Sequence, residues 1–99
     1  MKLDLNFPGF QEDMFLLQKQ ELSAFVKALR LLSQMDFHQL RQSSGFNLEH
    51  LKHVKTRQGE PIYSIRITRS FRALLTIEGD YLRFISLHPD HDSAYNKRK

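Results

Sequence analysis

Arg66, Arg69, Arg72, His88, His91, Asp92 and Tyr95, all in the last third of the chain, are residue types that act together on phosphodiesters. A guanidinium group stays charged at physiological pH and donates paired, planar hydrogen bonds to phosphate. An imidazole titrates near neutrality and serves as general base or acid, and a neighbouring carboxylate fixes its tautomer. Arginines gripping a backbone phosphate with a histidine beside them are the minimum equipment for cutting RNA without a metal. The chemistry requires the groups to converge, so the elements that carry them decide the matter.

Those elements read as a helical first half followed by a stranded second half. Leu22, Phe25, Val26, Leu29 and Leu32 recur at helical spacing between Gln20 and Met35, with Lys27, Arg30 and Gln34 on the opposite side. Ahead of this helix, Pro8 suits the first turn of a shorter one that carries Phe10, Met14 and Leu17 on its apolar face. The pair predicts a helical hairpin with its loop near Gln18 to Gln20. Phe37 to Gln42 fits one further helical turn before Ser43, Ser44 and Gly45 stop it.

Beyond Gly45 the apolar period changes from 3.6 to 2. Tyr63, Ile65 and Ile67 alternate with Ser64, Arg66 and Thr68, and Phe71, Ala73, Leu75 and Ile77 repeat the pattern. Gly79 and Asp80 form a two-residue hairpin turn into Tyr81 to Leu87. Leu51 to Val54 predicts another strand, joined through a polar link from Arg57 to Pro61. The expectation is an α+β fold, a helical hairpin packed on an antiparallel sheet of three to four strands, in one domain over residues 1–99. Alternation then sends Arg66 and Arg72 to the face opposite the apolar residues, which stays open if the helices cover the other.

Composition bounds the partners. The 99 residues are 40% hydrophobic and 11% aromatic, enough for a modest core, and 15 Lys and Arg against 11 Asp and Glu leave a formal charge of +4. That balance suits polyanions such as nucleic acid. There is no cysteine, which removes disulfides and thiolate zinc sites. The opening MKLDLNFPGF has no apolar signal region, and no apolar run approaches the about 18 to 20 residues of a membrane span, so a soluble cytoplasmic protein is expected.

The run His88-Pro89-Asp90-His91-Asp92 admits three readings. Its histidines and aspartates are possible metal ligands, although the spacing fits no strong zinc pattern. Asp92 can cap a terminal turn while Tyr95 packs back on the sheet. His88 or His91 can supply acid–base catalysis. His38, His50 and His53 lie in polar surroundings and read as surface residues. A stand-alone RNA-binding domain is less favoured, because no strand carries paired exposed aromatics for base stacking.

Four segments carry a family resemblance over nearly the whole chain: Phe46 to Lys52, Tyr63 to Ile67, Phe71 to Leu75, and Leu87 to Tyr95. With the helical hairpin ahead of them, they resemble the RelE/ParE superfamily, the toxins of bacterial type II toxin–antitoxin pairs. The resemblance implies a short first strand at Leu3 to Leu5. It also implies one of two activities: RelE-like cleavage of mRNA on the ribosome, or ParE-like gyrase inhibition by a protein without that catalytic set. In the cutting branch a base deprotonates the ribose 2'-hydroxyl, which attacks the adjacent phosphate. A cation stabilises the pentavalent oxyanion and an acid protonates the departing 5'-oxygen. By position, Arg72 matches the family's fourth-strand phosphate-binding arginine, Arg66 the third-strand basic residue, and His88 or His91 the acid–base group. Tyr95 matches a base-stacking tyrosine, and Lys52, Lys55 and Arg69 are implied RNA contacts. No cofactor or metal is implied. The implied partners are a cognate antitoxin, forming a hetero-oligomer, and mRNA on the ribosome. The family's usual linker glutamate has no clear counterpart, Glu60 being the only nearby candidate, while Glu49 lies earlier in the chain.

Overall fold

A computed structural model describes residues 1–89. Its elements are β1 (Lys2–Asp4), α1 (Pro8–Phe15), α2 (Lys19–Ser33), α3 (Phe37–Gln42), β2 (Glu49–Lys55), β3 (Pro61–Arg66), β4 (Arg72–Glu78) and β5 (Tyr81–His88). The helices form where expected, with boundaries set by local chemistry. Pro8 opens α1, and reciprocal side-chain and backbone bonds between Gln18 and Glu21 start α2. Asp36 and Gln39 do the same for α3.

The strands form a five-stranded sheet in the order β1-β5-β4-β3-β2. The meander from β2 to β5 is antiparallel, while β1 lies parallel to β5 and is the first strand that the resemblance implied. Glu78 pairs with Tyr81 across the Gly79-Asp80 turn, where Gly79 takes φ +60°. Ion pairs from Arg83 to Asp4 (3.2 Å) and Glu78 (2.8 Å) tie β5 to the strands on either side.

One face of the sheet packs on the helices. Phe10 of α1, Phe25 of α2, Phe71 just ahead of β4 and Phe84 of β5 meet with ring centroids 5.6 to 6.2 Å apart, and Ile65, Ala73, Leu75, Leu82 and Leu87 complete the floor. These rings set the helix-to-sheet spacing. The buried stripe of α2 is Phe25, Ala28 and Leu32; Leu22 and Val26, expected on the apolar face, are 40% and 45% exposed. A helix lying on a sheet presents only a narrow strip, and residues at its flanks stay in water.

β5 departs from simple alternation. Leu74 pairs with Ser86 but the next residue, Leu75, pairs with Phe84, so Ile85 is an extra residue on β5. Counting by twos from Leu82 and Phe84 would turn Ser86 and His88 toward the helices. The bulge reverses the phase: Leu87 is buried in the core, and Ser86 and His88 stand on the other face. β1 ends opposite Arg83, so among the described residues this edge of β5 has no strand beside it near Leu87; Asp13 of α1 accepts the Leu87 N–H through Oδ2 at 2.9 Å.

Candidate functional site

On the face away from the helices, strand register brings three basic side chains into one row. Arg66 of β3 lies directly opposite Arg72 of β4, and Arg72 directly opposite His88 of β5. Paired residues in antiparallel strands are about 4.5 to 5.5 Å apart at Cα, so the row spans about 10 Å, the scale of one phosphodiester and its riboses. Like charges in direct register repel and cost stability, which makes an arginine pair at this position a departure from what packing alone selects.

The adjoining row runs from Glu49 on β2 through Ser64 on β3 and Leu74 on β4 to Ser86 on β5. Arg72 reaches diagonally into it, donating from Nη1 to Ser64 Oγ at 2.9 Å, with Nη2 3.8 Å from Glu49 Oε1. Asn47, in the left-handed conformation just ahead of β2, donates from Nδ2 to the same Glu49 oxygen at 3.0 Å. At the other end, Ser86 Oγ and His88 Nε2 are 3.0 Å apart. Arg66 is held by its backbone, its N–H donating to the Phe46 carbonyl at 2.7 Å; its Nε is buried and has no hydrogen-bond partner among the described residues. A buried guanidinium N–H without an acceptor is a departure from the usual pairing of buried polar groups.

Cations, a carboxylate and an imidazole on one open surface have the composition that transesterification of RNA demands: charge for the oxyanion and two groups for proton transfer. Lys52 and Lys55 lie exposed on edge strand β2, and Arg69 is exposed in the loop joining β3 to β4. His91, Asp92 and Tyr95 lie outside the described residues. Ser64 and Glu49 are the residues that reasoning from sequence did not assign. The available signal for Ser64 was a small polar residue in a strand of larger ones; Glu49 is tied to Arg72 only by folding.

A cleft of about 390 Å³ lies elsewhere, lined by Phe37, Arg41, Leu48, His50 and Tyr63. His50 and Tyr63 stack across β2 and β3 with centroids 5.1 Å apart. This pair, invisible within either strand, is on the helix-facing side, so the cleft and the basic row occupy opposite faces. His38, His50 and His53 are exposed, as expected. Among the described residues no three His, Asp or Glu side chains gather as a metal site, and no helix is long and apolar enough to cross a membrane.

No protein-family model matches this sequence, and no curated protein does. Solved structures do. The archaeal RelE–RelB complex from Pyrococcus horikoshii contains a chain similar to this one with a TM-score of 0.58 at 12% identity, covering 89% of this chain and 90% of that one. YafQ from E. coli is similar with a TM-score of 0.61 at 11% identity, covering 93% of each. The fold is that of the RelE-like toxins. A copper-bound mutant toxin from Helicobacter pylori shares it too, with a TM-score of 0.52 and 16% identity over 93% of this chain and 97% of that one. A RelE-like fold at such low identity means that the architecture is common to these chains, while any chemistry must be argued from the side chains here.

Proposed function

We propose that this protein is the toxin of a bacterial toxin–antitoxin pair, a single-domain cytoplasmic endoribonuclease that inhibits translation by cutting mRNA, in ribosome-dependent fashion. The observation that carries the reading is the row Arg66, Arg72 and His88 on three adjacent strands, with Glu49 beside it. In the proposed reaction the arginines hold the scissile phosphate and neutralise its pentavalent transition state. Glu49, exchanging its contact with Arg72 for one with the substrate, takes the 2'-hydroxyl proton. The 2'-oxygen bonds to phosphorus as the bond to the 5'-oxygen breaks, and His88 delivers a proton to that leaving oxygen. The products are a 2',3'-cyclic phosphate and a 5'-hydroxyl end. His91 and Tyr95 are proposed to assist from the C-terminal segment, and Lys52, Lys55 and Arg69 to follow the RNA backbone. An antitoxin covering the basic face would hold the toxin inactive, as expected of a fold shared with the RelE of a RelE–RelB complex.

The test is induced expression in bacteria of wild type, Arg72→Ala and the His88→Ala/His91→Ala double variant, with mapping of mRNA 5' ends. Growth arrest with new mRNA ends, both lost in the variants, is the expected result. Arrest without new ends would replace this reading by a non-catalytic one such as gyrase inhibition, and no arrest by an inactive toxin fold.

A further inference from the structure

Ser64 is 3% exposed although it lies on the face away from the helices. A buried hydroxyl in mid-strand gives up the packing that a β-branched or aromatic residue provides there, and it requires a hydrogen-bond partner. Its partner is Arg72, whose Nη1 donates to it at 2.9 Å. Arg72 lies directly opposite a second guanidinium, Arg66, in its own row, so repulsion favours turning its side chain out of the row. Ser64 and Glu49 receive it one row away.

The two acceptors are not equivalent. Glu49 is an anion at 3.8 Å that competes directly with phosphate for the guanidinium, whereas Ser64 is neutral, closer and leaves the cationic charge intact. An anion bound to Arg72 would compete with the first contact and not with the second. We infer that Ser64 is a positioning residue: it holds one nitrogen of Arg72 in both free and substrate-bound states, so that the remaining guanidinium edge stays aimed at the phosphate. The assignment rests on the proposed reaction for its purpose but on the Ser64–Arg72 bond for its substance, and the two are separable by experiment.

Ser64→Ala, Ser64→Thr, Arg72→Ala and the Ser64→Ala/Arg72→Ala double variant are compared for binding of an uncleavable 2'-O-methyl RNA oligonucleotide, with Tm measured in parallel. Loss of a hydrogen bond to a charged group predicts about tenfold weaker binding for Ser64→Ala. Ser64→Thr, which keeps the hydroxyl, restores binding, and Ser64→Ala causes no further loss when Arg72 is already alanine. Wild-type affinity in Ser64→Ala, or full additivity with Arg72→Ala, overturns the assignment. Should wild type bind the oligonucleotide neither free nor as the mRNA of a programmed ribosome, the RNA reading fails by itself, and the Arg72 guanidinium NMR signals decide the role of Ser64. Separate Nη proton signals in wild type that merge in Ser64→Ala support restraint by the hydroxyl, and signals unaltered by the substitution overturn it.

Discussion

Arg66 and Arg72 were placed on the open face by alternation alone, because each sits in a strand whose other residues are plainly apolar or plainly polar. Their partners were not legible. Glu49 and Ser64 come to Arg72 from different strands, and nothing near either residue in sequence marks it as a neighbour of that guanidinium. The roles proposed for these side chains make separable predictions. Arg72→Ala should lower the cleavage rate by about 10²- to 10³-fold, the loss typical of removing a group that stabilises a developing oxyanion. Arg72→Lys should recover only part of it in single-turnover assays, since an ammonium lacks the planar fork. Glu49→Gln should separate binding from chemistry. Removing a competing carboxylate leaves RNA affinity equal or tighter, while loss of the general base slows cleavage by about 10²- to 10⁴-fold. Parallel measurement of affinity and rate checks this, and weakened binding would mean that Glu49 positions Arg72 without acting on the substrate.

The single extra residue at Ile85 does more for the arrangement of the site than any other feature of an element. It turns His88 from the phase of Leu82 and Phe84 to that of the arginines, while Leu87 enters the core. The hydrogen bond from the Leu87 N–H to Asp13 steadies β5 beside that point, joining α1 to the strand that carries the imidazole. Asp13→Ala leaves this N–H without its acceptor and should cost about 1 to 3 kcal/mol in denaturant unfolding. Asp13→Asn keeps a carbonyl oxygen and should cost less. Hydrogen exchange at the Leu87 amide is the local readout: it should accelerate in Asp13→Ala, and unchanged exchange would show that the strand edge is held without α1.

Across the whole molecule, basic groups are spread over several elements: Arg66 and Arg72 on the open face, Arg69 in the loop between β3 and β4, Lys52 and Lys55 on edge strand β2, and others on the helices. If Arg66, Arg69, Arg72, Lys52 and Lys55 all meet phosphates, the log of affinity for single-stranded RNA should fall with log salt at a slope of about −3.5, from about 0.7 per contact. A slope of about −1.4 would confine the contacts to the two arginines of the basic row. The sequence by itself determined the order of elements, the hairpin of helices, the meander and the outward direction of the two arginines. Each of these follows from local periodicity and turn chemistry, which neighbouring residues encode together. Only the tertiary structure decided that Arg66, Arg72 and His88 share one row, that Ser64 and Glu49 hold Arg72, and that β1 closes the sheet as a fifth, parallel strand. Those outcomes depend on register between strands and on one bulge. Both are set by contacts between residues distant in sequence, and a shift of one position in either would move His88 to the opposite face.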